Sequence, residues 1–206
     1  IKKITIVGGS LCFASFAVNS AQLERVDEEN YKNFISHTSK GPALVKDSSS
    51  LKLIKTVKLS NGLIKHKYVQ YYKGTPVFSP LLTSTVKNKN EQQWWGNYLS
   101  KINNDLSNVK VKLSKDDAIK IVKQSLKIKK ATVNDIAVLY VKQNLVSFKA
   151  EFVYLVNFNI EGKELSRPYV FINASTGVVI DSWDGLTTRD AQGPGGNEKV
   201  GAYYYG

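Results

Sequence analysis

Leu51-Lys52-Leu53-Ile54-Lys55-Thr56-Val57-Lys58-Leu59, then Ser60-Asn61-Gly62, then Leu63-Ile64-Lys65-His66-Lys67-Tyr68-Val69-Gln70-Tyr71-Tyr72 is the stretch that decides the fold. Leu51, Leu53, Val57 and Leu59 fall at odd spacings with polar partners between them, the period of a half-buried strand. Ser60-Asn61-Gly62 supplies a turn that tolerates positive φ, and the second run returns as a strand, so the pair reads as a hairpin. Lys73-Gly74-Thr75-Pro76 is a second turn, followed by Val77-Phe78 and a run from Leu81 to Val86. Residues 87–113 are rich in Asn and Lys and carry Trp94-Trp95-Gly96 and Tyr98. They read either as a strand pair or as the connection between two modules.

At Leu113 the grammar changes. Ser114 is placed to cap a helix whose first turn holds Asp116 and Asp117, favourable beside the positive end of the helix dipole. Ala118, Ile119, Ile121, Val122, Ser125 and Leu126 then mark one helical face. Strands are expected at Ile136–Val141, Phe148–Phe158, Tyr169–Asn173 and Val178–Trp183, the last two joined by Ala174-Ser175-Thr176-Gly177. One helix and a four-stranded antiparallel meander make a small α+β module. Upstream, residues 21–50 read as a polar lead-in with a short helix at Glu28 to Ser39, ending before Lys40-Gly41-Pro42.

The two ends differ from this body. Lys2-Lys3, the apolar run Ile4 to Val18 and the small residues of Val18-Asn19-Ser20 have the pattern of a secretory signal peptide over residues 1–20, cut between Ser20 and Ala21. The run is shorter than the roughly 20 residues that span a bilayer, so no membrane span is expected once it is removed. Cys12 lies in mid-run after Gly9-Ser10-Leu11, which does not suit a lipid-modified cysteine. At the other end Gly193-Pro194-Gly195-Gly196-Asn197 reads as irregular, and Tyr203-Tyr204-Tyr205-Gly206 as a strand-like run without a partner. With no methionine in the chain, a fragment is expected.

Composition narrows the chemistry. The 206 residues are 42% hydrophobic and 11% aromatic, enough for a real core in one large or two small domains. One cysteine excludes an intrachain disulfide and every Cys-based zinc arrangement, and the two histidines, His37 and His66, are too far apart for an H-E-x-x-H helix. The net charge of +12, or +10 without Lys2 and Lys3, is spread as isolated lysines alternating with apolar residues, the look of a solvent face. With only three arginines, dispersed lysines and an expected export signal, nucleic acid is not an expected partner; an acidic protein surface is. His66 reads as a strand residue, Tyr68, Tyr71, Tyr72 and Trp183 as sheet packing, Asp116-Asp117 as helix-start electrostatics, and Asp181 with Asp184 as turn chemistry. No catalytic residue and no metal ligand is expected here.

Three motifs carry a family resemblance. Asn61-Gly62 and His66-Lys67-Tyr68-Val69-Gln70-Tyr71-Tyr72-Lys73-Gly74-Thr75-Pro76-Val77-Phe78 resembles the fungalysin/thermolysin propeptide motif, the FTP module. The stretch from Ser166-Arg167-Pro168 through Ser175-Thr176-Gly177 to Ser182-Trp183-Asp184-Gly185-Leu186 resembles the end of a PepSY module. Gly193 to Gly206 is similar to the opening of mature enzymes in the vibriolysin and pseudolysin branch of thermolysin-family zinc metallopeptidases. The resemblance implies an α+β chain of two small antiparallel-sheet modules, FTP-like over 51–112 and PepSY-like over 113–186, preceded by a signal helix and ended by a processing linker and truncated mature start over 187–206.

It further implies a secreted pro-region, exported through the periplasm, that acts as intramolecular chaperone and temporary inhibitor and is then removed by proteolysis. Its motif residues are Gln70, Tyr71, Tyr72, Gly74, Pro76 and Val77 in the first module, and Arg167, Pro168, Gly177, Trp183, Gly185 and Leu186 in the second. Processing is expected around Arg189, Asp190 and Ala191, at Asp190–Ala191, with Thr188–Arg189 or later trimming as alternatives. The implied partner is its own downstream peptidase domain, first tethered and then held non-covalently. Zinc and calcium would belong to that catalytic domain, and this chain would hold no cofactor. Two other readings remain open: a stand-alone secreted inhibitor built from the same modules, and a basic envelope-binding protein.

Overall fold

A computed structural model describes residues 19–27, 48–78, 81–88, 91–161, 165–186, 191–193 and 203–205. The apolar run of the expected leader and the helix expected at Glu28 to Ser39 lie outside them. The strands are β1 (Gln22–Val26), β2 (Ser49–Lys58), β3 (Ile64–Tyr72), β4 (Thr75–Pro76), β5 (Leu82–Asn88) and β6 (Glu91–Ser100). After two helices, α1 (Ile102–Leu106) and α2 (Lys115–Ser125), come β7 (Thr132–Gln143), β8 (Ala150–Ile160), β9 (Pro168–Asn173) and β10 (Val179–Asp184).

The first sheet has the order β1-β6-β5-β3-β2, with β4 paired to β3, all antiparallel. Its centre is the expected hairpin. Gly62 takes φ 81° at the turn, where the Leu59 N–H donates to the Leu63 carbonyl across 2.8 Å. The second turn leaves Lys73 and Gly74 at φ 44° and 83° between Tyr72 and its partner Thr75, so both central residues lie in the left-handed region that a tight two-residue hairpin demands. Residues 87–113 resolve into β6 and the short helix α1, entered through Lys101 at φ 56°. The lead-in also changes character: Gln22–Val26 form an edge strand paired with Ser100–Gly96.

Gln70 repairs a gap in this sheet. Pairing of β3 with β5 ends at Tyr68 and Leu82, so beyond it β3 and β6 face each other with no strand between. The buried Gln70 carboxamide fills the space: its Nε2 donates to the Leu99 carbonyl at 2.7 Å and its Oε1 accepts from the Leu99 N–H at 2.8 Å. One side chain thereby satisfies two main-chain groups that would otherwise be buried unpaired.

The second sheet is a meander of order β10-β9-β8-β7 with α2 on one face. Ser114 and Asp117 form a capping box, which holds the Asp117 carboxyl below its ordinary value through the Ser114 hydroxyl and backbone bonds. Ala118 and Val122 of α2 are fully buried against Ala137, Tyr154, Val156, Phe158, Val170 and Ile172. Gly177 turns the last hairpin at φ 74°, and a Cβ there would lie 3.2 Å from Ile121 Cδ1 on the helix. Strand boundaries shift from expectation: β7 starts at Thr132 and runs to Gln143, beyond the expected Ile136–Val141, and Phe148 sits at φ 56° in a turn organised by the Asn144 side chain, so β8 starts at Ala150; β8 to β10 otherwise shift by one or two residues.

The two sheets join through Val77. It forms a parallel bridge with Val141 of β7, and the Phe78 N–H donates to the Val141 carbonyl at 2.7 Å. Around that seam Ala21, Tyr72, Val77, Leu99, Ile102, Leu106, Val141 and Ala150 make a core cluster of their own. Tyr72 is 0% exposed, and its hydroxyl donates to Asn103 Oδ1 at 3.0 Å. Beyond the second sheet, Ala191–Gly193 (β11) pairs with Tyr203–Tyr205 (β12), so the tyrosine run does have a partner. The pairing is long-range for so short a run, and local sequence carries no sign of it.

Replacing Gln70 with leucine keeps the volume and removes both bonds to Leu99. Equilibrium unfolding in urea should then show a loss of about 2–3 kcal/mol, the cost of stranding buried amide groups; an unchanged midpoint would show that the carboxamide does not hold the gap closed.

Candidate interaction face and linker exit

Strand alternation on β7 is apolar on both faces. Ala137, Leu139 and Val141 point to the helix-side cores, while Ile136, Val138 and Tyr140 take the opposite face. A sheet covered by a helix on one side and open to water on the other should alternate apolar with polar. Here the open face is apolar too. Register assembles it in rows: Ile136, Asn157, Tyr169 and Trp183 lie across the four strands, beside Val138, Leu155, Phe171 and Asp181. Phe78 arrives from the seam and sets its ring edge-on to Phe171 at 4.8 Å and to Tyr140 at 5.5 Å.

Trp183 ends the row. Its ring stacks on Tyr169 at 5.3 Å with 7° between the planes, and Phe171 lies 5.7 Å away. Phe171 is buried under these neighbours, yet Trp183 remains 42% exposed, Phe78 43% and Ile136 43%. Cations rim the face: Lys142 Nζ stands 5.4 Å from the Phe171 ring, and the Arg167 guanidinium 5.2 Å from the Tyr169 ring. The surface is a contiguous aromatic and aliphatic patch with a basic edge, chemistry suited to a protein partner.

Asp184 fixes how the chain leaves this face. Its Oδ1 accepts from the Arg167 and Leu186 N–H groups at 3.0 and 2.9 Å, and its Oδ2 accepts from the Ser166 hydroxyl at 2.6 Å. Partial burial pushes the carboxyl up, but the bonds from Ser166, Leu186 and Arg167 together outweigh it and hold it below its ordinary value. Gly185 follows in contact with Tyr169: an added Cβ would fall 2.4 Å from Cε2 of that ring. Only glycine lets the strand close over the aromatic row.

The sequence-chosen residues thus separate into two groups. Tyr72 and Val77 lie in the seam cluster, Gln70 bonds Leu99 beside it, and Gly74 and Pro76 form the turn and short strand that lead into it, with Tyr71 paired to Pro76 and its ring 5.9 Å from Lys52 Nζ. Arg167, Trp183, Gly185 and Leu186 build the open face and its exit, Pro168 lies buried on the helix side of β9 opposite Asp184, and Gly177 serves the helix side. Asp184, read as turn chemistry, is the knot of the exit, and Asp181 lies on the open face. Arg189 and Asp190 lie outside the described residues, and Ala191 opens β11. Ser20 and Ala21 are buried beside α1. Tyr140 was missed, although the unbroken apolar run Ile136 to Val141 signals a strand with two partnered faces.

His66 lies on β3 with Nδ1 3.0 Å from the Thr56 hydroxyl. Among the described residues no three His, Cys, Asp or Glu side chains come together as a metal site. No helix among them is long and apolar enough to cross a membrane.

Residues 112–183 match the PepSY family, described as the peptidase propeptide and YPEB domain. The hemagglutinin/proteinase of Vibrio cholerae is 34% identical over 77% of this chain and 27% of its own length. The virulence metalloprotease of Vibrio anguillarum is 31% identical over 94% of this chain and 33% of its own length, and the neutral protease of Vibrio proteolyticus 34% over 77% and 27%. The chain therefore spans a third or less of these relatives. Among solved structures, the Bacillus megaterium YpeB C-terminal domain is 16% identical with a TM-score of 0.34, over 67% of this chain and 57% of that one.

The Asp184 knot makes a pH prediction. A carboxyl held below its ordinary value stabilises the fold above about pH 4 and loses that contribution as pH falls through the lowered value. Exposure keeps it small, about 0.5–1 kcal/mol. Melting temperatures of the wild type and Asp184→Asn, followed from pH 6 to pH 2, should differ at pH 6 and converge in acid; parallel curves would show that the charge contributes nothing. Residues 112–183 are a PepSY domain, and the chain is homologous over most of its length to a segment of the Vibrio metalloproteases.

Proposed function

We propose that this chain is the pro-region of a secreted zinc metalloendopeptidase, acting on its own peptidase domain as folding template and temporary inhibitor until proteolysis around Arg189–Ala191 releases it. The observation that carries the reading is the apolar open face of the second sheet. A PepSY sheet that already has its helix has no internal use for Phe78, Ile136, Tyr140 and Trp183 on the other side. A partner that covers them would bury aromatic area of the kind that dominates interface energetics.

The exit geometry supports the same reading. Asp184 and Gly185 lock the last strand against Tyr169, so whatever follows Leu186 starts from the rim of that face. A peptidase domain tethered there would meet the face at a high effective concentration, and a moderate intrinsic affinity would suffice until the link is cut. The basic rim would favour an acidic surface on the partner and speed correct encounter. The chain would supply binding and orientation only, and hydrolysis would rest on groups of the peptidase domain, zinc among them.

The test adds the purified chain in trans to its separately produced peptidase domain. Inhibition is expected, with Trp183→Ala and Phe78→Ala each weakening it about tenfold or more, the range of an interface anchor. Circular dichroism and melting should show both variants folded. No inhibition by the wild-type chain, together with an unchanged refolding yield of the peptidase, would overturn the reading.

A further inference from the structure

Ala21 is held at both ends of its peptide unit. Its N–H donates to Asp105 Oδ2 at 2.8 Å, and its carbonyl accepts from Gln143 Nε2 at 2.8 Å. The same Asp105 oxygen accepts from the Ala150 N–H at 2.8 Å, at the start of β8. Asp105 on α1 thus gathers the residue that leads into β1 of one sheet and the start of an inner strand of the other at a single carboxylate. The Ala21 side chain is 1% exposed and packs in the seam cluster with Tyr72, Val77, Leu99, Ile102, Leu106, Val141 and Ala150.

Two features of the uncut chain fit poorly. Asp105 is met by neutral main-chain donors, and among the described residues no lysine, arginine or histidine forms an ion pair with it. Just upstream, Ser20 is 7% exposed, and its hydroxyl is buried without a hydrogen-bond partner among the described residues. A buried unpaired hydroxyl costs stability, as does a partly buried carboxylate without a counter-charge. Cutting one bond would remove both faults.

We propose that the chain is hydrolysed between Ser20 and Ala21 and that the new α-ammonium of Ala21 pairs with the Asp105 carboxylate, locking the seam between the two sheets. Water adds across the Ser20–Ala21 amide: Ser20 departs with the carboxylate, and Ala21 keeps the nitrogen, protonated to an ammonium. The catalyst is a peptidase of the export machinery acting before the chain folds, since the bond is buried afterwards. The nitrogen already lies at charge-assisted hydrogen-bond distance from Oδ2, so the ammonium forms in place and needs no movement of β1. Leader removal then completes the fold, and the seam is at full strength only in exported chains. The inference rests on Ala21, Asp105 and Ser20, and it stands whether or not the chain serves a peptidase.

The experiment exports the full chain from a bacterium and reads the first residue of the product by mass spectrometry. Ala21 is expected, and any other first residue would overturn the proposal. The product is then treated with acetic anhydride at neutral pH. An ammonium held by a carboxylate has its pKa raised, and each unit of rise lowers the reactive free amine about tenfold. The Ala21 amine should therefore react at least about tenfold more slowly in the folded product than in urea.

Asp105→Asn keeps an oxygen for both N–H donors and removes the charge. In it the folded rate should rise toward the denatured one, with a melting temperature lower by about 4 °C. Equal rates in the two folded proteins would overturn the pairing. Should Asp105→Asn fail to fold, equal rates for the wild type folded and in urea would overturn it.

Discussion

The seam at Val77 is the interaction on which the rest of the molecule depends. A parallel bridge to Val141 and a bond from the Phe78 N–H to the Val141 carbonyl attach the first sheet to β7 of the second. Because Phe78 follows immediately, the same bridge carries its ring onto Phe171 and Tyr140. The first module thereby completes a surface that belongs to the second. Below the bridge Tyr72, Ile102 and Leu106 bury the joint, and its polar needs are met by side chains: Asn103 for the Tyr72 hydroxyl, Asp105 for two main-chain N–H groups, and Gln143 for the Ala21 carbonyl.

Polar groups inside this chain do work that strands would do elsewhere. Gln70 stands in for a missing strand between β3 and β6. Ser100 and Tyr98 both donate to the Glu24 carboxylate, tying β1 to β6 by side chains as well as by the ladder. Burial and that carboxylate push the Tyr98 phenol well above its ordinary value, so it remains a donor throughout the physiological range. Such devices explain how a lysine-rich chain with modest cores keeps one arrangement of two sheets: every misplacement would strand buried amides or carboxylates.

What was legible in the sequence was local. Turns at Asn61-Gly62, Lys73-Gly74 and Thr176-Gly177, the Ser114 cap and the alternation along β3, β8 and β9 all announce themselves within a few residues, because steric freedom and side-chain period are short-range properties. The pairing of Gln22–Val26 with Gly96–Ser100 crosses about seventy residues of chain and has no local signature. The same holds for the Val77–Val141 bridge, for α1 behind the left-handed Lys101, and for the β11–β12 pair. The interaction face was half legible. Trp183, Gly185 and Arg167 stood out by motif, whereas cross-strand register alone puts Ile136 in the Trp183 row, and Tyr140 joins the face through the ring of Phe78.

If the chain serves a peptidase as proposed, its open face is covered in function. Hydroxyl-radical footprinting of the chain alone and mixed with the peptidase domain proposed as its partner tests this directly, because oxidation follows the exposure of each aromatic ring. Strong protection of Trp183, Phe78 and Tyr140 is the predicted result, with Trp95 and Tyr71 of the first sheet unchanged. Equal oxidation of Trp183 and Phe78 in both samples would contradict the assignment of that face as the site where the peptidase docks.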